Sequence, residues 1–168
     1  MALVLIETAG ATNANTYASL IEAEAYFETR LHKTAWTSSI AGTKNIALAW
    51  ATSLLDELVA WVGHQSTETQ ALRWPRELVW DIEGYKLSPT TIPTFLKNAT
   101  AEYALHLIGS DLTLGTNTDL MGFEFMKVGP IEIKVDKYTK KPILPQSVQT
   151  MIRQYSQAVK TPKTLVRM

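Results

Sequence analysis

The sequence predicts a mainly α-helical fold: a helical bundle of about three helices with a β-hairpin and, on an extended arm, a C-terminal amphipathic helix. Two patterns carry that expectation. Apolar residues recur at helical spacing in separate stretches, and one pair of alternating runs flanks Gly129-Pro130. Composition agrees with a packed core, since 46% of the 168 residues are hydrophobic and five are tryptophan.

The first helix starts at a capping box. In S-L-I-E the Ser19 hydroxyl can accept from the Glu22 backbone N–H while the Glu22 carboxylate reaches back. Leu20, Ala23, Phe27 and Leu31 then share a face, predicting a helix over 20–31. A second helix is expected from Thr43, with Leu48, Ala51, Leu55, Leu58 and Val62 inward and Gly63 as its C-cap. Residues 64–92 contain Pro75, Gly84 and Pro89 with little periodicity and read as an ordered loop. A third helix starts at Thr91 and Pro93, places Ile92, Leu96, Ala99, Tyr103 and Leu107 inward, and ends near Gly109. Beyond the polar stretch 110–119, alternation at Phe123, Phe125 and Lys127 and at Ile131, Ile133 and Val135 predicts the hairpin. A last helix begins near Pro145, with Val148, Ile152 and Tyr155 on one stripe. The division is therefore a helical body over 1–119, a hairpin over 120–138 and a basic arm over 139–168.

Charge separates along the same division. Residues 1–126 hold 7 basic and 14 acidic side chains, whereas residues 127–168 hold 9 basic and 2 acidic ones. An acidic body thus carries a basic arm, which can dock on an acidic neighbour, on nucleic acid or on its own body. With no cysteine, disulfides and thiolate metal sites are excluded, which suits folding in a reducing cytoplasm. The start, MALVLIETAG, lacks the basic region of a signal peptide, and no stretch approaches the ~20 apolar residues that span a bilayer, so a soluble protein without membrane contact is expected.

No catalytic pattern stands out. His32, His64 and His106 lack metal-ligand spacing, and phosphate loops and nucleophile elbows are missing from the sequence. Glu102 and His106 read as a simple surface pair at i, i+4. Asp56 and Glu57 point about 100° apart on a helix and cannot share a substrate atom. No enzyme activity and no cofactor are expected.

The stretch QALRWPR, residues 70–76, sets a large ring between Arg73 and Arg76 and fixes the backbone with Pro75. A single-strand stacking platform would want that composition, as would Lys137-Tyr138. Glu68, Glu77, Asp81 and Glu83 surround it with the wrong charge. The structural reading is a clamp of Asp56, Arg73, Trp74, Pro75 and Arg76, in which Trp74 caps the core and an arginine meets a carboxylate or helix end.

Several motifs together resemble one family. They are A-N-T-Y-A-S at 14–19, A-x-A-Y-F at 23–27, Trp36, A-x-x-L-L-D at 51–56, W-x-G at 61–63, T-Q-A-L-R-W-P-R at 69–76, V-G-P-I-E-I at 128–133 and L-P-x-x-V at 144–148. Over residues 14–155 the chain resembles the small neck proteins of tailed bacteriophages, the head–tail adaptors, whose members often carry the label DnaT-like single-stranded DNA-binding protein. The segment G-F-E-F-M-K before V-G-P departs from the usual basic or aromatic-rich stretch and leaves the register of that strand open.

The resemblance implies a structural virion protein made in the host cytoplasm. It would form a homo-oligomeric ring, a dodecamer, beneath the portal protein. Double-stranded DNA would pass through its channel toward a downstream tail or neck protein. On that reading Val148, Met151, Ile152, Arg153, Tyr155 and Lys160 dock on the portal, and Phe123, Phe125, Ile131 and Ile133 make subunit contacts. A single-stranded DNA-binding replication accessory is the alternative.

Overall fold

A computed structural model describes residues 3–113, 125–128, 131–134 and 142–159. The fold is mainly helical, as the periodicity predicts, with three small antiparallel strand pairs among the described residues, of which the sequence predicts one. Helix α1 spans Leu20–Glu28, with both hydrogen bonds of the capping box formed. A single turn, α2, covers Thr34–Thr37 and seats Trp36 against Phe27 at 4.6 Å between ring centres. The long helix α3, Ala41–Leu58, runs into strand β1, Val59–Trp61. Strands β2, His64–Gln65, and β3, Arg76–Glu77, pair across the QALRWPR stretch.

Helix α4, Thr94–Gly109, is central and packs against α1, α2 and α3. Its buried residues therefore extend around the helix, taking in Leu96, Ala99, Ala101, Tyr103 and Leu105. Two buried threonine hydroxyls are satisfied locally: Thr100 Oγ1 donates to the Leu96 carbonyl at 2.8 Å, and in α3 Thr52 Oγ1 donates to that of Leu48 at 3.0 Å.

Strands β4, Phe125–Val128, and β5, Ile131–Lys134, form the expected hairpin, pairing Val128 with Ile131 next to Gly129-Pro130. Phe123 and the side chains of Phe125, Ile131 and Ile133 lie outside the described residues.

Three expectations need correction. The second helix ends at Leu58, not Val62, because residues 59–61 pair with the C-terminal strand β6, Ser156–Val159. Gly63 does have positive φ, +68°, but in the turn between β1 and β2, where an added Cβ would stand 2.1 Å from the Glu77 carbonyl oxygen. Leu31 lies beyond the end of α1 and is exposed.

The third correction concerns the arm. Helix α5, Gln146–Ile152, packs on α4, and Val148 and Ile152 are buried in the chain's own core together with Leu144. Tyr103 reinforces the join, its hydroxyl donating to the Ile143 carbonyl at 3.0 Å. A single 3-10 turn, Arg153–Tyr155, then leads into β6. Over 142–159 the expected extended arm is thus part of the body. The apolar stripe takes the nearest dry surface, since so short a helix is marginal in water alone.

Candidate interaction surface

QALRWPR is built as a clamp. Trp74 is 1% exposed and touches Trp61 edge-on at 5.7 Å and Phe95 edge-on at 5.6 Å between ring centres. Phe95 in turn stacks on Tyr155 at 3.9 Å. This ladder of four rings ties β1, the clamp, α4 and the C-terminal segment together, and each edge-to-face pair adds about 0.5–1.5 kcal/mol beyond area burial. The Trp74–Pro75 peptide bond is cis.

The polar half of the clamp differs from expectation. The Arg76 guanidinium is buried and, among the described residues, meets no carboxylate. It donates to the backbone carbonyls of Val62 at 2.7 Å and Arg73 at 3.0 Å, and also to that of Gly63. Two of these carbonyls lie in the turn after β1 and one in the clamp itself, and the planar fork reaches all three where lysine offers a point charge. Burial lowers the Arg76 pKa from its usual value. Gln70 completes the frame, its Nε2 donating to the carbonyls of Leu72 at 2.8 Å and Pro75 at 3.0 Å.

Asp56 belongs to the clamp, but through backbone. Its Oδ2 accepts from the Arg73 backbone N–H at 3.0 Å, and its Oδ1 accepts from the Tyr17 hydroxyl. Burial pushes the Asp56 carboxyl above its usual pKa, against those two hydrogen bonds. Tyr17 is raised as well, first by burial and then by the neighbouring carboxylate. A cleft of about 660 Å³ opens beside them, lined by Asn15, Thr52, Asp56, Glu57, Gln65 and Arg73. Both Asp56 oxygens are held, so the carboxylate joins α3 to Tyr17 and to the clamp.

Glu102 is no surface group. It is 1% exposed, and its carboxylate takes Arg30 Nη2 at 2.9 Å, Arg30 Nε at 3.1 Å and the Tyr26 hydroxyl at 3.1 Å. His106 stands 3.6 Å away as a second neighbour. Burial alone would raise the Glu102 pKa, but the Arg30 hydrogen bonds and charge bring it below the ordinary value. Burial and the nearby carboxylate push Tyr26 up to about 12.

Most cations of the body are committed in the same way. Lys44 pairs with Glu24 at 2.7 Å, Lys97 with Glu22 at 2.5 Å, and Lys33 Nζ donates to the Phe27 carbonyl. Among the described residues no group of three or more His, Cys, Asp or Glu side chains is placed to hold a metal ion. No described helix is long and apolar enough to cross a membrane.

Of the six residues expected to meet a portal, Val148 and Ile152 are buried, Met151 and Tyr155 are partly covered, and Arg153 is exposed. Lys160 lies outside the described residues.

One exposed feature has no counterpart in the expectations. Residues 78–87, LVWDIEGYKL, form a tight turn next to β3. Leu87 N–H donates to the Val79 carbonyl at 2.9 Å, Trp80 bridges Lys86, and Asp81 N–H donates to the Tyr85 carbonyl at 2.9 Å. Asp81 Oδ1 also accepts from the Tyr85 N–H at 2.8 Å and the Glu83 N–H at 3.0 Å. Val79 is buried, whereas Trp80 is 51%, Ile82 82% and Tyr85 73% exposed, with Leu78 outward as well. Leu78 has φ +56°, uncommon for a branched side chain, at the point where the chain turns outward. The alternation of apolar and acidic residues around Gly84 is the signal that could have revealed it.

A model of the family described as "Putative DnaT-like ssDNA binding protein" matches residues 1–168. The chain belongs to that family. No curated protein and no solved structure matches it. For this family member, Trp74 is not an open stacking platform, because its ring faces are taken up inside the fold.

Proposed function

We propose that this chain is a non-enzymatic, DNA-associated protein that binds single-stranded DNA through its basic C-terminal third. The family description supports that reading. The observation that carries it is the distribution of cations. Arg30, Lys33, Lys44, Arg76 and Lys97 are engaged with carboxylates or carbonyls, while residues 127–168 carry 9 of the chain's 16 basic residues against 2 acidic ones. The run Lys137-Tyr138-Thr139-Lys140-Lys141 combines phosphate-neutralising charge with an aromatic ring.

Titrating a fluorescent oligothymidylate with the protein tests this. Binding should weaken with salt, with a log–log slope of about −2 to −3 for three or four neutralised phosphates. Replacing Lys137, Lys140 and Lys141 with glutamine should lower affinity at least about tenfold at low salt, and Trp74 should show no quenching by the oligonucleotide. An affinity unchanged in the triple variant, or no binding at low salt, rejects the proposal.

The second reading is a head–tail adaptor, a ring beneath a portal that continues the DNA channel and joins head to tail. The resemblance of the motif series to tailed-phage neck proteins favours it, as does the segregation of opposite charge, which lets one copy's basic part face its neighbour's acidic body. In this reading the portal contact uses surface other than Val148 and Ile152, because both are core. Adding the protein to portal-containing heads and imaging the vertex separates the readings. An added ring supports the adaptor, and its absence alongside oligonucleotide binding supports the first reading.

A further inference from the structure

We propose that the turn 78–87 is a docking knob for the C-terminal residues 160–168 of a second copy of this chain. The knob is exposed, yet anchored. Val79 is buried beneath it, Leu87 packs against the core, and Gly63 lies so close to the Glu77 and Leu78 carbonyls that no larger residue fits. Three backbone hydrogen bonds and the Asp81 side chain hold its tip. Exposed large hydrophobics on so closely bonded a turn mark a contact surface rather than a frayed loop.

The charge around the knob chooses the occupant. Glu77, Asp81 and Glu83 outnumber Lys86, and His64 faces Glu77 at 3.7 Å. Nucleic acid is repelled by that rim, whereas a basic segment with apolar side chains is complementary. Residues 160–168, KTPKTLVRM, are such a segment, with Lys160, Lys163 and Arg167 set among Leu165, Val166 and Met168.

Geometry favours a second copy over the same chain. Strand β6 runs antiparallel to β1, from Ser156 beside Trp61 to Val159 beside Val59. It therefore leads the chain away from Gly63 and the base of the knob. Returning to its own knob would require residues 160–168 to reverse that direction, whereas a second copy can meet them along it.

The test uses the full chain and a synthetic peptide of residues 160–168. Sedimentation velocity should show concentration-dependent association that the peptide dissociates, and the peptide should shift Trp80 emission to the blue. Trp80→Ser with Ile82→Ser, both at exposed positions, should raise the apparent dissociation constant at least about tenfold while circular dichroism stays native. Glu83→Lys should weaken association less and reduce its salt dependence. A chain that stays monomeric, association that neither the double variant nor the peptide alters, or a Trp80 response to oligothymidylate but not to peptide, would overturn the proposal. The last result would make the turn a base-stacking platform. Because the double variant leaves Lys137, Lys140 and Lys141 in place, single-strand binding should survive it, so this proposal and the functional one fail separately.

Discussion

Trp74 and Trp80 stand six positions apart, each in a stretch mixing aromatic and charged residues, and the fold treats them oppositely. Trp74 closes a ladder of rings inside the body, while Trp80 rides on a turn that points away from it. Composition does not distinguish them, since each has a basic residue within a few positions. The backbone between them does. Arg76 donates to the Val62 and Gly63 carbonyls at the turn after β1 and to the Arg73 carbonyl within the clamp, which holds the clamp inward. Leu78 then adopts positive φ and Val79 goes in, which leaves Leu78, Trp80 and Ile82 out. An aromatic residue beside arginine is therefore weak evidence for nucleic-acid stacking until the direction of its backbone is known.

The strongest way to break the comparison is at the interior end. Trp74→Ala should cost about 3–5 kcal/mol in urea denaturation, the range for deleting a core aromatic. A loss under about 1 kcal/mol would mean the ring ladder contributes little. Ile152→Ala comes next, at about 2–5 kcal/mol, because Ile152 is fully buried in the body rather than held ready on an arm. A near-neutral result with lost assembly would restore the docking stripe. Arg30→Ala should cost about 2–3 kcal/mol, somewhat less than the ~3–5 kcal/mol of a fully buried pair, because the Arg30 side chain is 32% exposed.

Acid extends the same logic. The Lys44 hydrogen bond holds Glu24 below the usual carboxylate value of 4.5; burial opposes the lowering of Glu22 and Glu102, but Lys97 and Arg30 outweigh it. Carboxyls with depressed folded-state pKa values stabilise the fold above about 4.5, and that stabilisation is lost as pH falls through the folded values. Asp56 has the opposite sign, since its raised pKa favours the protonated form in the folded state. Melting temperature should therefore fall below about pH 4.5, and Glu102→Gln should flatten that fall while lowering stability at pH 7. An identical pH profile in the variant would show that Glu102 is not the acid-sensitive strut.

Much of this interior was legible because it rests on local pattern. The capping box at Ser19 and Glu22, the faces of α3 and α4 and the burial of Trp74 follow from spacing and residue type alone. What stayed hidden depends on partners distant in sequence. Gly63 looks like a helix cap because caps and tight turns both use positive φ, and only β6, some ninety residues later, takes residues 59–61 out of the helix. Glu102 reads as a surface residue beside His106 because Arg30, 72 positions away, leaves no local trace. The C-terminal stripe showed that it needed a cover but not that α4 supplies it. The knob was missed for a different reason: outward apolar residues break the periodicity that reveals buried ones.

Acrylamide quenching of tryptophan emission tests the contrast between interior clamp and outward turn most directly. A neutral quencher avoids repulsion from the acidic rim. Trp80 alone among the five tryptophans is more than half exposed, so Trp80→Phe should remove most of the quenchable emission while changing stability by less than about 0.5 kcal/mol. Trp74→Phe should leave the quenchable fraction in place. If quenching persists in Trp80→Phe and disappears in Trp74→Phe, the assignment of inside and outside is reversed, and QALRWPR becomes the exposed platform.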